Sequence, residues 1–152
     1  MTPEPPTVPP SEPVGRRVRP SDVDYGNLLA FRSGLRRFLR WSESAARDAG
    51  LNPAVHQLLL TVRGCGTPEG PRIGEVAQYL VVRHHTAVEV INRAEKDGLV
   101  RRVRDEHDSR AVRIQLTPEG LARLDDLTGQ HLDELRRLSP TFSRIWQGLD
   151  DQ

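Results

Sequence analysis

RIGEVAQYL (residues 72–80), VVRHHTAVEVINRAEKDGLV (81–100) and RRVRDEHDSRAVRIQL (101–116) follow one another without a break, and the hydrophobic period changes along them. In the first piece Ile73, Val76, Ala77 and Leu80 recur at helical spacing. Leu80, Val81 and Val82 form a short apolar bridge, after which Ala87, Val90, Ile91 and Ala94 start a second helical stripe. Gly98 stands where a left-handed residue commonly stops a helix. Beyond it the period is two: Val112, Ile114 and Leu116 alternate with Arg113 and Gln115, the pattern of a half-buried strand. Residues 100–104 can pair with that strand across a turn at 105–109. The order is helix, turn, helix, β-hairpin. Two short helices on a tight turn suit a DNA groove, and a basic hairpin beside them can reach the backbone or the next groove.

Working outward, the chain before this stretch divides into three. Residues 1–20 hold seven of the twelve prolines and little that is apolar, so a disordered, polar tail is expected there, with Arg16, Arg17 and Arg19 at its end. Ser21 and Asp22 open a helix that runs to about Ala49, before Gly50. Its apolar face, with Leu28, Leu29, Phe31, Leu35, Phe38, Leu39 and Trp41, is wider than a small core can use, and a second copy of the chain is a natural cover. Asn52 and Pro53 read as the cap and first turn of a further helix carrying Val55, Leu58, Leu59 and Val62, and residues 64–71 read as a loop. After the hairpin, Thr117-Pro118-Glu119 opens a leucine-rich helix. Ser139 and Pro140 are expected to interrupt it, leaving residues 141–149 as a last short helix.

The chain has 152 residues and a formal net charge of +1, which allows one domain with a modest core. Neutrality hides an uneven distribution: residues 72–113 hold nine Arg or Lys against seven Asp or Glu, whereas the chain from Ile114 onward has four Arg against seven acids. The basic excess sits in the central unit. No apolar run is long enough for a bilayer, no signal-peptide core opens the chain, and the single cysteine, Cys65, has no partner for an internal disulfide, so a cytoplasmic protein without membrane contact is expected.

The central stretch resembles the winged helix-turn-helix of MarR-family transcriptional regulators. IGEVAQYL is similar to the first helix of that family's DNA-binding unit, NRAEKDGLVRR to the end of its recognition helix, and Asp105-Glu-His-Asp108-Ser-Arg110 with AVRIQLTPEG to its wing, return strand and next helix start. In layout the resemblance covers roughly residues 22–149. It implies a mainly α fold: a winged helix-turn-helix with a two-stranded β-wing and N- and C-terminal dimerisation helices. Residues 21–149 would be one domain, with 22–63 and 118–149 as scaffold and 72–116 as the DNA-binding unit. It further implies a ligand-responsive repressor, acting as a homodimer on double-stranded DNA at a pseudo-palindromic operator, and no enzymatic activity.

On this reading the recognition helix presents Arg83, His84, His85, Thr86, Glu89 and Arg93, with Val88 as a further contact to a thymine methyl. Arg110 corresponds to the family's wing-tip arginine, which enters the minor groove, and Asp108 to the acidic residue that orients it. Arg101, Arg102, Arg104 and His107 complete the wing, the arginines as phosphate contacts or as a solvated edge. Arg37, Phe38, Trp41 and His56 are candidates for a pocket that takes a small anionic or aromatic effector.

Other chemistry has less support. His84 and His85 are adjacent on a helix, about 100° apart, so they do not share a metal ion readily, and no cofactor is expected. His131 reads as a satisfied or exposed histidine. Cys65, between two glycines and near Arg63, reads as an inert loop cysteine, with an exposed, oxidisable thiol as the alternative. A protein-binding winged helix and a redox or metal sensor on the same scaffold remain the competing functions.

Overall fold

The computed structural model describes residues 19–150, the last three by their backbone alone. The tail as far as residue 18, with Arg16 and Arg17, lies outside the described residues, as does the side chain of Leu149.

The first three helices begin where side chains satisfy amides at their N-termini. In α1 (Asp22–Asp48), the Ser21 hydroxyl accepts from the Asp24 N–H at 3.3 Å, and the Asp24 carboxylate accepts from the Ser21 N–H at 2.7 Å. For α2 (Pro53–Gly64), Asn52 Oδ1 accepts from the Ala54 N–H at 3.0 Å, and Pro53 occupies the first turn. The Glu75 carboxylate accepts from the Arg72 N–H at the start of α3 (Ile73–Leu80). The second helix of the unit is α4 (His84–Lys96), and Gly98, at φ +72°, turns the chain into β1 (Val100–Arg104). This strand pairs antiparallel with β2 (Val112–Leu116), Val100 opposite Leu116 and Arg104 opposite Val112.

α2 is the hub. It packs against α1, α3, α4, α5 and β2, and its Val55, Leu58 and Leu59 are almost wholly buried. Val76, Ala87, Ile91, Ala94 and Ile114 close over it from the central unit, and Leu124 and Leu127 from the last helix. The loop after α2 is stitched to the sheet: the Ile114 N–H donates to the Pro71 carbonyl at 2.9 Å, and Arg72 bridges to Arg113. Gly70 makes this approach possible, since at φ +86° a Cβ would overlap the Ile114 carbonyl.

The last helix, α5 (Pro118–Asp150), is joined to the hairpin by a compact knot. The Thr117 hydroxyl donates to the Gly98 carbonyl at 2.6 Å and accepts from the Gly120 N–H at 3.0 Å. A Cβ on Gly120 would overlap the Leu99 carbonyl, so the helix start can lie against the end of the α4–β1 turn only with glycine there.

The expected break at Ser139 and Pro140 does not occur: α5 runs through both. Pro140 removes one helical hydrogen bond, but it lies on an exposed side where its ring displaces water and not a neighbour. Residues beyond it are held by packing. Phe31 of α1 meets the Phe142 ring at 5.8 Å and the Trp146 ring at 5.6 Å, and Ile145 is buried. The contact of both halves of α5 with the rest of the molecule outweighs one lost bond.

α1 and α5 nevertheless leave much apolar surface uncovered. Of the 27 residues of α1 only Ser42 and Ala46 are buried. Leu28, Leu29, Leu35 and Leu39 on α1, and Leu132, Leu135 and Trp146 on α5, are exposed. Among the described residues no helix is long and apolar enough to cross a membrane.

Candidate nucleic-acid interface

α4 turns Ala87, Ile91 and Ala94 inward, all fully buried. That leaves His84, His85, Glu89 and Arg93 exposed, with Thr86 and Val88 half-buried beside them. Arg83 sits at the N-cap without a side-chain hydrogen bond, and the first turn contains no acidic residue. The helix start is therefore positive through its free amides as well as through Arg83. Among the described residues neither Arg83 nor Arg93 forms an ion pair. The turn before α4 is tight because Val81 adopts φ +54°, a left-handed conformation that is rare for a β-branched residue, and its side chain is 88 % exposed.

The wing residues divide into free and engaged ones. Arg104, His107 and Arg110 are exposed. Asp108 shapes the tip: its Oδ1 accepts from the Arg110 N–H at 3.1 Å, and its backbone carbonyl accepts from the Ala111 N–H at 2.9 Å. Arg101 pairs across the strands with Gln115 at 3.0 Å. Arg102 is drawn away from solvent, with its guanidinium on Glu95 and on Asn92 Oδ1. It braces β1 against α4, which leaves it less free for a phosphate than Arg104.

The residue that sequence reasoning missed is Asp105, whose side chain is 1 % exposed. Its Oδ2 accepts from Arg72 Nη2 at 2.9 Å and from Arg113 Nε at 2.7 Å, and its Oδ1 accepts from the His107 N–H at 2.9 Å. Arg113 continues to the Gly70 carbonyl at 2.8 Å, and Arg72 Nη1 lies 3.9 Å from the Asp108 carboxylate. The His107 amide first, then the two guanidiniums, hold the Asp105 carboxyl well below the usual carboxylate range. The same contact raises the Arg72 pKa. Asp105 and Arg113 flank one hairpin in the sequence, but the third member arrives from α3, which no local pattern reveals.

Of the residues expected to form an effector pocket, three come together and one does not. Phe38 stacks on Trp41 with ring centroids 6.1 Å apart, and His131 bridges Trp41 at 4.9 Å and His56 at 4.7 Å. Arg37 is exposed and has no described contact with this group. His131 is well anchored: Nδ1 lies 2.8 Å from the Leu127 carbonyl, which can only accept, so Nε2 receives the Ser42 hydroxyl at 2.7 Å. His56 is 2 % exposed, and burial, followed by the proximity of His131, lowers its pKa to about 4. Phe38 and Trp41 pack and do not line the neighbouring cavity. That cavity, of about 550 Å³, lies between α1, α2 and α3 and is lined by Leu39, Ser42, Asn52, His56, Tyr79 and Leu80 among others.

Cys65 is buried, with its thiol against the Val62 carbonyl at 3.6 Å, and is not the exposed thiol of the redox alternative. No group of three or more His, Cys, Asp or Glu side chains fit to hold a metal is found among the described residues.

Residues 49–111 match the model of the MarR family. The HTH-type transcriptional regulator PecS of Dickeya dadantii (strain 3937) is 31 % identical over 93 residues, which are 61 % of this chain and 56 % of PecS. The chain spans about half the length of the curated relatives it matches. AbsC, a MarR-family transcriptional regulator from Streptomyces coelicolor, superposes with a TM-score of 0.66 at 19 % identity, covering 90 % of this chain and all of AbsC. CouR from Rhodococcus jostii RHA1, solved with p-coumaroyl-CoA bound, gives 0.64 at 24 % identity, over 83 % of this chain and 89 % of CouR. At these identities the two structures speak for the fold. Family match, regulator relatives and the α3–α4–hairpin architecture agree: the chain has a winged helix-turn-helix fold, and its residues 49–111 are similar to the MarR family.

Proposed function

We propose that the chain is a sequence-specific DNA-binding transcriptional regulator, a ligand-responsive repressor that works as a homodimer on a pseudo-palindromic operator. Each subunit lays α4 in a major groove, with Arg83, His84, His85, Thr86, Glu89 and Arg93 towards the bases and phosphates, and Arg110 enters the flanking minor groove. Arg101, Arg104 and His107 meet the backbone, which positions the wing without specifying sequence. The observation that carries this reading is the α4 start: an uncapped, acid-free first turn with an unpaired Arg83, beside an exposed hairpin that ends in Arg110.

The uncovered leucines of α1 and α5 support a two-fold dimer built from residues 22–63 and 118–149. The cavity beside His56 supports effector control. It spans the scaffold and α3, so a small anionic or aromatic guest that fits one spacing of the two better than the other shifts the population of DNA-competent dimers.

Selection of bound duplexes from a random pool, followed by mobility shifts in a salt series, tests the whole reading. A symmetric motif whose affinity falls steeply as salt rises is expected. Failure to retain any duplex at low ionic strength refutes it.

A further inference from the structure

We propose that Asp105 is a positioning residue for DNA recognition: with Arg72 and Arg113 it locks the wing to the start of α3, so that Arg110 and α4 meet adjacent grooves as one rigid reader. The inference rests on the DNA-binding reading above and adds how its two contact elements are held in register.

The geometry is that of a joint. A hairpin protruding from a two-stranded sheet has only its strand pairing to fix its angle. Here one buried carboxylate takes three donors from three places: the wing turn through the His107 amide, β2 through Arg113, and the N-cap of α3 through Arg72. Arg113 ties the same point to the Gly70 carbonyl, and Arg72 also approaches Asp108, which shapes the tip that carries Arg110. Charge-assisted bonds of this kind are short and directional, and a carboxylate accepts from both guanidiniums on one oxygen and from the His107 amide on the other, where an amide has a single acceptor oxygen. The same donors hold the Asp105 carboxyl well below the usual carboxylate range, so it is ionised at neutral pH. Arg102, bound to Glu95 and Asn92, makes a second, smaller tie from β1 to α4. Between these two ties α3, α4 and the wing have little freedom to move separately.

The test uses the full chain with Asp105→Asn, Arg110→Ala and the double variant, on a duplex selected by the wild type. Asp105→Asn is expected to lose roughly tenfold in affinity, close to the loss from Arg110→Ala. The double variant should be no weaker than the weaker single one, because both changes remove the same contact. Hydroxyl-radical footprints should lose protection in the flanking minor groove and keep it at the central major groove. Additive losses, or an intact flanking footprint in Asp105→Asn, overturn the proposal. A measurement without DNA separates its failure from that of the DNA-binding reading: amide exchange at His107 and Ala111 should quicken in Asp105→Asn while that of Ile91 in α4 stays slow. Unchanged exchange at the wing overturns the clamp whether or not the protein binds DNA. Should Asp105→Asn fail to fold, Arg72→Ala removes one donor from the exposed side and must show the same footprint and exchange changes, with partial rescue in Arg72→Lys.

Discussion

Residues 72–116 and the two long helices that flank them distribute their apolar side chains in opposite ways. In the central unit Val76, Ala87, Ile91, Ala94 and Ile114 are all buried, and the exposed surface is largely charged or polar. In α1 the leucines Leu28, Leu29, Leu35 and Leu39 are open to solvent, as are Leu132, Leu135 and Trp146 of α5, while Phe31, Phe38 and Trp41 are half-buried. The central unit closes over α2 within one chain, whereas the long helices leave leucines that the proposed dimer would cover. A shape that must present side chains to a groove needs an internally complete core; a scaffold that sets the distance between two such shapes needs its greasy side unfinished.

The largest effect should come from charging the open side. Leu28→Asp with Leu35→Asp is expected to give a monomer by sedimentation and to weaken binding to a two-half-site duplex by about a hundredfold, the advantage of linked sites. The melting of a single subunit should change little, since both residues are exposed in it. A double variant that still sediments as a dimer breaks the contrast. At the joint between the two regions, Gly120→Ala should destabilise by about 3 kcal/mol, because the new methyl meets backbone and not a side chain that can yield. An unshifted urea midpoint would show that the joint has slack.

A smaller effect sharpens the role of the His56 cluster, which lies where α1, α2 and α5 meet. The unfolded chain takes up a proton at this imidazole near pH 6.5, while the folded chain resists until about pH 4. Stability is therefore complete above pH 6.5, falls as the pH drops towards 4, and levels off below that for this group. Urea midpoints followed through the window should show a shallower slope in His56→Phe than in the wild type. Equal slopes would mean that burial does not keep the His56 imidazole neutral. The smallest expected change lies in the turn of the central unit: Val81→Asn should stabilise by about 1 kcal/mol, by relieving a β-branched residue in a left-handed conformation. Loss of stability there would mean that the exposed valine makes contacts in the free protein.

Much of this architecture was legible in the sequence because it is local. The stripe Ala87, Val90, Ile91 and Ala94, the stop at Gly98, the Asn52-Pro53 helix start and the alternation through Val112, Ile114 and Leu116 each depend on neighbours a few residues away. What was not legible depends on distant ones. Pro140 reads as a break because its penalty is local, while Phe31, which holds the far side of α5, lies more than a hundred residues earlier. Asp105 is one acid among several in a polar turn until Arg72 arrives beside it. Phe38, Trp41 and His56 read as pocket residues with Arg37; they pack together through His131, which comes from α5, and the adjoining cavity is lined by His56 with Ser42, Asn52 and Tyr79.

The stitch between Pro71 and Ile114 gives the connection from α2 to α3 two mechanically different halves. Residues 66–67 lie in irregular chain ahead of a turn at 68–69, and their backbone can absorb an inserted residue as surface slack. At residues 70–71 the chain is pinned, by a glycine with no room for a side chain and by a carbonyl already spoken for. Lengthening there would have to push α3 along its axis or unzip the edge of the hairpin. Tolerance to added length should change abruptly within one short loop, and that boundary marks where ordinary surface chain gives way to the frame of the reader.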